Sequence, residues 1–579
     1  MKLESSGSIF TKRGRIAKDN TIDTDLLVIG SGLGGLWSAW AALDSGLNRV
    51  AIVDKCSIGE SSQSKMSAGA TVYCTKRDPF DLWFKELVEQ QKYLSRQDMV
   101  EDMLKTSGQL LEKQKEWGLW YEKMPWGSPT LHVGGTKNLK MHVLPRYKGI
   151  GGGGAIVNVI KDQVLAKGGE FYSKVMITGL LHSQGKVCGA VGVDRMTGET
   201  LTFKSRGVVI ATADCSFGNT GCIGHSTGDG YKLAYDMGAR LTNMEFWGSN
   251  TGSPQYSFES ISDTAANFGC RFYNNKGQYF THKYTSAGDK AEPFKIAQAM
   301  ADEAENGGGP PYYFDMRSLA WRLGYQLVLK RKMTGFVTQM FEELKRQGID
   351  PFERPMEWVP LMRTIRGGIR TDMNCMTDIP GLFAAGTAQA LDPNGLNGIS
   401  TVRAMWSGQQ AGRQAARYIN GSYDIKATGV DNLSEARSLA VKPLKNSGAI
   451  KPVEVIGLIQ MIVFPYNISL KKDSKSLLMA IRAIRNLKSV MEIELAADSP
   501  HELSKAHEAM NMTLTAELYL TASLLREESR GDHYREDYQK TDNKNWLKWI
   551  NLKNGGNGNI ATEIEPVPLN KYKLDYRGG

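Results

Sequence analysis

The chain contains the run LLVIGSGLGGLWSAWAALDSG, residues 26–46, which decides the fold of its N-terminal part. The opening apolar residues have the length of a strand, and the residues after the glycines have helical spacing. Between them, Gly30, Gly32 and Gly35 match the pattern G-x-G-x-x-G. The first glycine of that pattern permits a tight turn, the second lets the backbone approach a pyrophosphate, and the third lets helix and strand pack closely. The run therefore predicts a strand, turn and helix that bind a dinucleotide.

Four later segments indicate which dinucleotide is bound. The run RVAIVDK, residues 49–55, predicts a second strand that ends at Asp54, whose carboxylate can accept hydrogen bonds from a ribose. A Ser- and Gly-rich stretch follows at residues 56–74, an apolar strand with a small-residue turn lies at 207–218, and a glycine turn leads into a long helix within 379–419. An adenine-binding unit alone does not need these pieces. A flavin, whose ring lies across the domain from its adenine, does, so we predict FAD.

Composition sets broad limits on the class of protein. With 579 residues, 41% of them hydrophobic and 23% charged, the chain has the composition of a soluble protein of two or more domains. The net charge of +10 is spread along the chain without a basic cluster interleaved with aromatic residues, so we expect a basic surface and no nucleic-acid site. The first twenty residues lack the apolar stretch of a secretory signal, which predicts a cytoplasmic location.

The longest apolar run, VIGLIQMIVFPY at residues 455–466, is too short to span a membrane. It predicts a buried helix, with an exposed docking surface as the alternative. The seven cysteines are scattered, and no two form a C-x-x-C pair. This pattern argues against a disulfide framework, a metal site or an iron–sulfur cluster on this chain.

Four further segments carry a resemblance to a known family. They are HSTGDGYKLAYDMGARLTNMEF (225–246), GLFAAGT (381–387), LNGISTVRAMWSGQQAG (396–412) and AELYLTASLLREESRGDHYREDYQKTDNKNWLKWI (516–550). The chain resembles the flavoprotein subunits of succinate dehydrogenase and fumarate reductase, with adenylylsulfate reductase flavoproteins and L-aspartate oxidases as relatives. The resemblance implies an α/β fold in which a Rossmann-like FAD-binding domain carries an inserted α+β capping domain and is followed by a C-terminal helical domain.

The resemblance and the punctuation of the sequence together predict the domain boundaries. We expect the FAD-binding domain at 20–244 and 362–425, the capping domain at 245–361, the helical domain at 430–550 and an extended C-terminal tail at 551–579. Dense charges in ESRGDHYRED, within the helical domain, predict a network of salt bridges that holds this domain to its neighbours.

The glycine motif and the resemblance also predict the residues that contact FAD. They are Gly30, Gly32, Gly34, Gly35, Asp54, Lys55, Ser62, Gln63, Ser67, Ala68, Gly69, Ala211, Thr212, Asp229, Gly386, Thr387, Asn397, Ser400 and Thr401. Relatives with covalently attached FAD have a His at the place of Gln63, so we expect the FAD here to be bound without a covalent link. The helix that starts near Ser400 and Thr401 is expected to stabilise negative charge on the flavin ring through its N-terminal N–H groups.

The residues that bind the dicarboxylate in the family are not matched here. Relatives that act on succinate or fumarate carry a His before Met-Gly-Gly, where this chain reads RTIRGG from Arg363, and their substrate-clamping Arg falls near Gly395. Fumarate reduction needs both carboxylates clamped while a positioned acid protonates carbon. We therefore expect a different organic substrate, such as an enone, a cyclic ketone or an anionic thioester. Adenylylsulfate-reductase-like sulfur chemistry and a non-catalytic electron-transfer role are the alternatives.

Candidate substrate contacts come from two regions of the chain. Arg363 and Arg366 lie beside a glycine pair where the chain returns from cap to flavin, and Arg370 follows them; structural salt bridges are the alternative role for two of these three. The cap offers Tyr273, His282, Tyr284 and Lys290 as proton donors. His225, which opens the HSTGDG loop, is predicted to be a turn residue. Since the sequence shows no cluster ligands, electrons are expected to pass through a separate iron–sulfur subunit in a hetero-oligomer. The substrate is expected to be an anionic small molecule. Any peripheral contact with a membrane is expected to come through that partner subunit.

Overall fold

The computed structural model describes most of residues 20–576. The positions it leaves out between those ends are 125–126, 134–135, 219–223, 255–257, 260–261, 326–335, 391–392 and 422–428.

The centre of the molecule is a five-stranded parallel sheet built around the strand Leu26–Ile29. Across the sheet the strands are Leu382–Ala384, Val208–Ile210, Leu26–Ile29, Val50–Asp54 and Glu170–Ser173. Four of the segments that the sequence assigned to the dinucleotide-binding unit and its companions therefore supply neighbouring strands of one sheet. Their apolar residues are buried on both faces, as a parallel sheet that is covered on both sides requires.

Two helices that pack against each other cover one face of this sheet. The helix Leu33–Asp44 follows the glycine turn, and the helix Ile399–Gly421 lies against it. Two glycines of the second helix allow the contact, because a Cβ on Gly408 would stand 2.4 Å from the Gly34 oxygen and one on Gly412 would stand 2.1 Å from the Ser38 oxygen. The remaining helices of this domain are Gln63–Met66, Phe80–Gln90, Gln97–Glu116, Gly152–Ala166 and Asp229–Asp236.

Smaller sheets complete the FAD-binding domain. A four-stranded sheet contains Thr21–Asp23, Thr200–Lys204, Lys186–Asp194 and Val175–Ser183. Short strands at Trp120–Tyr121, Pro145–Tyr147 and Ile150–Gly151 form a second sheet, and Thr130–His132 pairs with Lys140–His142.

The inserted segment forms its own layer of sheet and helices. Its strands, in spatial order, are Phe258–Glu259, Trp247–Ser253, Met356–Ile365, Tyr312–Asp315 and Arg271–Tyr273. Its helices are Ser262–Ala266, Pro293–Glu305, Leu319–Gly324 and Phe336–Arg346, with 3-10 turns at Thr281–Lys283 and Gly288–Lys290. Phe272, Phe314 and Trp358 belong to a separate apolar core here. The strand that returns to the FAD-binding domain runs four residues beyond the predicted boundary at 361.

The C-terminal part is helical, as the resemblance implied. The helices are Leu433–Ala440, Lys442–Lys445, Pro452–Val463, Tyr466–Ser469, Ser474–Glu494, Pro500–Leu525 and Asn543–Trp546. The apolar run at 455–466 forms a helix with one buried side, carrying Val455 and Ile459, while Met461 is 74% exposed. In the described parts of the chain, no helix is both long enough and apolar enough to cross a membrane.

A buried ionic network joins this helical part to the rest of the molecule. Arg526 pairs with Glu245 at 2.7 Å and with Glu528 at 2.9 Å, and all three side chains are fully buried. Arg530 also pairs with Glu528, at 2.7 Å. Since Glu245 lies where the FAD-binding domain passes into the cap, the charged segment holds separate parts of the chain together, as the sequence indicated.

The C-terminal tail differs from the extended segment that we expected. It forms a hairpin of Lys548–Asn554 and Ile560–Pro566, which pairs with Leu241–Thr242 and through it with Gly368–Ile369. The tail has this form because residues of its first strand are buried against the FAD-binding domain, so the sheet is extended by two strands. A 3-10 turn at Leu569–Lys571 follows.

Candidate active site

A cavity of about 440 Å³ lies at the carboxyl ends of the central strands. It is bounded by the glycine turn, the loop after Val50–Asp54, the turn after Val208–Ile210 and the first turn of Ile399–Gly421. Open α/β sheets bind their ligands at this edge. Of the predicted FAD-binding residues, those that line the cavity are Gly30, Gly32, Gly34, Asp54, Lys55, Ser62, Gln63, Ser67, Ala68, Ala211, Thr212, Asp229, Gly386, Thr387, Asn397, Ser400 and Thr401.

The remaining two, Gly35 and Gly69, lie outside the cavity for reasons of packing. A Cβ on Gly35 would stand 1.8 Å from the Gly30 oxygen, so Gly35 lets the helix approach the strand, the role that the motif assigns to it. Gly69 has φ +75°, and a Cβ there would stand 2.6 Å from a side-chain carbon of Pro145. Contact of these two glycines with the cofactor therefore stays a prediction.

The glycine turn has the shape that a pyrophosphate requires. Gly30 has φ +102°, and its Cβ would stand 2.3 Å from the Ala211 oxygen, so only glycine fits there. Gly32 is the N-cap of the helix Leu33–Asp44, and a Cβ there would make ordinary contacts, 3.6 Å from the nearest atoms of Ser62 and Ser64. Ser64 Oγ accepts a hydrogen bond of 3.2 Å from Leu33 N at the helix N-terminus, and Gly32, Leu33 and Ser64 all line the cavity, where the end of a helix favours an anion.

Asp54 stands at the end of its strand beside this turn. Its carboxylate accepts hydrogen bonds from Ser31 N at 2.8 Å, from Ser31 Oγ at 2.6 Å and from Cys56 N at 2.7 Å. A carboxylate has about four lone-pair sites. One site is therefore left for a ribose hydroxyl in the cavity.

Lys55 and Asp229 line the cavity but bind each other. Lys55 Nζ lies 2.9 Å from Asp229 Oδ2 and 2.9 Å from Glu508 Oε1. Burial alone would lower the pKa of Lys55, but the two carboxylates outweigh it and raise that pKa. Glu508 comes from the helix Pro500–Leu525, and sequence reasoning missed it because no local pattern links it to the glycine motif. The ammonium group is therefore held in place by two domains.

Gln63, at the position of the covalent His in relatives, is engaged in hydrogen bonds. Its Nε2 donates to Asp214 Oδ1 at 2.7 Å and to Ser226 Oγ at 2.7 Å. Burial raises the pKa of Asp214. Asp214 and Ser226 both line the cavity and were not predicted as site residues, although they lie in segments that the sequence had marked. His225 also lines the cavity, and burial lowers its pKa, which favours the neutral imidazole.

Apolar side chains from several apolar clusters also line the cavity, and together we call them its apolar wall. Its residues are Met124, Leu131, Met141, Val143, Leu144, Val175, Met176, Ile177 and, from the cap, Trp321. Sequence reasoning missed this wall, since isolated apolar residues in short strands have no signature of their own. An apolar wall beside a few polar groups is typical of a site for a large planar cofactor.

Two of the three candidate arginines reach the cavity. Arg363 and Arg366 line it. Arg370 instead binds Glu565 of the C-terminal hairpin, with Nη2 2.8 Å from Oε1, so it has the structural role that we had considered for it. The guanidinium of Arg366 lies against Gly248 and Gly395.

The four cap residues predicted as proton donors do not line the cavity. Tyr284 Oη donates to Glu303 at 2.7 Å, and the ring of His282 stacks on Tyr279 with centroids 4.6 Å apart. Lys290 is exposed, and Tyr273 pairs with Tyr279 in a bridge within the cap. The structure gives no support to these four as catalytic groups, because none of them lines the cavity. Among the described residues, no group of three or more His, Cys, Asp or Glu side chains is arranged to hold a metal ion.

Comparisons with known proteins agree with this geometry. Residues 25–400 match the family model described as an FAD binding domain, and residues 463–578 match the model described as the fumarate reductase flavoprotein C-terminus. One subunit of the CoM/CoB fumarate reductase of Methanothermobacter marburgensis is 26% identical over 90% of this chain and 95% of its own length. The fumarate reductase flavoprotein subunit of Mycobacterium tuberculosis is 25% identical over 95% of this chain and 98% of its own length.

Solved structures share the fold. The flavoprotein of E. coli quinol fumarate reductase superposes with a TM-score of 0.83 at 21% identity and covers 95% of this chain and 97% of its own. Adenylylsulfate reductase of Archaeoglobus fulgidus superposes with a TM-score of 0.77 at 21% identity and covers 97% of this chain and 99% of its own. At these identities, the structural likeness shows a common fold.

Proposed function

We propose that this chain, which belongs to the FAD-binding flavoprotein family of the fumarate reductases, transfers a hydride between FAD and an organic substrate other than succinate or fumarate. The chain is an FAD-dependent oxidoreductase. The observation that carries the proposal is the continuity of one cavity from the glycine turn to Arg363 and Arg366, alongside the start of the helix Ile399–Gly421.

The residues of the cavity fit FAD along its whole length. We assign the pyrophosphate to the turn at Gly30 and Gly32, and the adenosine ribose to Asp54. The flavin ring would lie along the apolar wall and reach Ser400 and Thr401, whose helix N-terminus favours negative charge. The amide of Gln63 is not a nucleophile that could bond to the flavin, so the cofactor is held without a covalent bond.

The bound flavin supplies an atom that accepts or donates a hydride. The chain's own residues then have three tasks. Arg363 and Arg366 orient the substrate, the helix N-terminus at Ser400 stabilises charge on the ring, and the apolar wall excludes water. Asp214, which is 3% exposed and lines the cavity, is placed to hold a proton there.

Electrons must enter or leave through another protein or a diffusible carrier. The two relatives above are named as subunits of enzymes. The described part of this chain has no metal-binding cluster of its own. We therefore propose that the partner is a separate iron–sulfur protein, which copurification of the native protein followed by iron and sulfide analysis would detect.

Anaerobic titration tests the proposed reaction. Photoreduced holoprotein is mixed in turn with an enone, a cyclic ketone, a 2-enoyl thioester, fumarate, and adenylylsulfate, and the return of the oxidised flavin absorption is followed. Reoxidation by one of the first three at least tenfold faster than by fumarate supports the proposal. Fastest reoxidation by fumarate contradicts it, and bleaching of the oxidised flavin by sulfite with AMP would indicate adenylylsulfate-reductase-like chemistry instead.

A further inference from the structure

The guanidinium of Arg366 occupies a slot between two glycines. A Cβ on Gly248 would stand 2.5 Å from Arg366 Nε, and a Cβ on Gly395 would stand 2.2 Å from Arg366 Cζ. Neither glycine has a positive φ. Their lack of a side chain is therefore explained by the space that the guanidinium takes, and we call the three residues the Arg366 slot.

The charge in this slot has no ionic partner in the parts of the chain that the structure describes. Arg366 makes no ion pair there, and its Nε is buried without a hydrogen-bond acceptor. Lys55, by contrast, is bound by two carboxylates at the other end of the same cavity. A buried N–H without an acceptor is destabilising. A ligand oxygen at this position would remove that cost.

Two buried carboxyl groups act on Arg366 electrostatically, but both are held by other donors. Asp214 accepts the bond from Gln63, and Asp532 accepts from Ser249 N at 3.1 Å and from Ser249 Oγ at 3.2 Å. Burial raises the pKa of Asp214 and the pKa of Asp532, and the charge of Arg366 opposes both shifts. Neither carboxyl group hydrogen-bonds to Arg366 Nε, which therefore keeps a donor for a ligand.

We infer that the Arg366 slot anchors the substrate by a single carboxylate, so that this enzyme selects monoanionic over dicarboxylate substrates. A guanidinium fork matches the geometry of a carboxylate and binds it by two parallel hydrogen bonds. A second carboxylate on the same substrate would add negative charge to a cavity that the carboxyl group of Asp214 already lines, which is costly. This inference rests on the proposed function and adds the charge and the anchoring group of its substrate.

Ligand binding to the oxidised holoprotein tests the slot without turnover. The probes are crotonate, its neutral methyl ester and fumarate, and the measurement is the change in flavin absorption on titration. We expect crotonate to give a saturable change, with at least tenfold weaker binding of the ester and no tighter binding of fumarate. Equal affinity for crotonate and its ester, or clearly tighter binding of fumarate, would overturn the inference.

A double-mutant cycle assigns the effect to the slot. Arg366→Met should weaken crotonate binding at least tenfold, and Gly395→Ala should do the same by displacing the guanidinium. Combined with Arg366→Met, the Gly395→Ala change should have no further effect. Gly457→Ala is the matched control, since nothing lies within 4 Å of the Cβ that it adds, and it should bind crotonate as the unchanged protein does.

The outcomes separate this inference from the proposed function. Loss of FAD from Arg366→Met holoprotein, measured by the ratio of flavin to protein absorption, would show that Arg366 serves the cofactor and would overturn the inference. The inference would also be overturned if Gly395→Ala weakened crotonate binding in the Arg366→Met protein as much as it does alone. If the slot binds crotonate as expected while no organic acceptor reoxidises the flavin, the anchor stands and the proposed reaction fails.

Discussion

Gln63 Nε2 donates a hydrogen bond of 2.7 Å to the buried carboxylate of Asp214. Its second bond, to Ser226 Oγ at 2.7 Å, fixes the amide across the end of the cavity. An amide nitrogen is not a nucleophile of the kind that forms covalent intermediates in proteins. At the position where we expect a His in relatives with covalent FAD, Gln63 instead holds the loop beside the cavity in place.

The first prediction is that acid releases the flavin. When the holoprotein is precipitated with trichloroacetic acid, we expect all of the FAD in the supernatant and no fluorescent protein band in a denaturing gel. Flavin that stays with the precipitate would contradict the non-covalent role of Gln63.

The second prediction concerns the glycine turn. Gly30→Ala should abolish FAD binding, because the added methyl meets the Ala211 oxygen at 2.3 Å and the residue has φ +102°. Gly32→Ala has room to fold, since Ser62 is 3.6 Å away, but its methyl points at the cofactor and should lower FAD affinity at least tenfold.

Flavin content after gel filtration and the far-ultraviolet circular dichroism of the apoprotein measure these two effects separately. Gly457→Ala serves again as the control. Full flavin content in Gly30→Ala protein would show that the turn is not the cofactor site.

The third prediction is a pH dependence from Glu508. Burial would raise the pKa of Glu508, but Lys55 and Lys505 outweigh it and hold that pKa at about 2. A carboxyl whose folded pKa is depressed stabilises the fold above its unfolded pKa, and this contribution is lost as pH falls towards 2. Glu508→Gln should lower the free energy of unfolding at pH 7 by about 3–5 kcal/mol, since it leaves one buried partner of Lys55 uncharged.

Thermal melting of the apoprotein between pH 7 and pH 3 checks this prediction. The difference in Tm between Glu508→Gln and the unchanged protein should shrink as the pH falls. Glu116→Gln is the control, because the Glu116 side chain is 64% exposed in its pair with Lys113 and should change neither Tm nor its pH dependence. A difference in Tm that stays constant from pH 7 to pH 3 would disprove the lowered pKa of Glu508.

The fourth prediction is that removing a buried lysine stabilises the protein. Lys472 is fully buried, its Nζ has no hydrogen-bond partner among the described residues, and it lies 5.8 Å from the ring of Tyr519. Burial lowers the pKa of Lys472 to about 7, with Asp532 and Glu245 opposing that shift and Arg535 adding to it. Lys472→Met should raise the free energy of unfolding at pH 7 by about 1–4 kcal/mol.

The direction of the pH dependence follows from the number of protons that the folded and unfolded states bind. Between the folded pKa of about 7 and the usual value of 10.5, the unfolded chain binds more protons than the folded one, so the unchanged protein gains stability as pH rises. The Lys472→Met protein lacks this gain, so the difference in free energy of unfolding between it and the unchanged protein should narrow between pH 7 and pH 10. Lys475→Met, at an exposed position, is the control. A less stable Lys472→Met protein at pH 7 would refute the prediction.

Much of the fold could be predicted because its signals are local. The glycine turn, its two strands and the helix Leu33–Asp44 are encoded by adjacent residues, and the predicted strands at 207–218 and 379–387 joined the same sheet. The C-terminal hairpin could not be predicted in this way. Its strand Lys548–Asn554 is specified by pairing with Leu241–Thr242, about three hundred residues earlier in the chain.

The candidate site shows the same difference between local and distant signals. Residues near the backbone turns, such as Gly32 and Asp54, were found from sequence because their role depends on local conformation. Tyr284 and Lys290 were misplaced because a side chain's chemistry does not reveal which cavity it faces. Glu508 was missed because its partner, Lys55, is far away in the sequence.

By itself, therefore, the sequence determined that this chain has a dinucleotide-binding fold, and it predicted that the dicarboxylate clamp near Gly395 lacks its arginine. Only the tertiary structure decided that the guanidinium of Arg366 fills the space over Gly395. The physical reason is that a turn or a strand is set by the backbone preferences of neighbouring residues. A charge in a cavity is set by which distant segments are packed around it, and no local pattern records that packing.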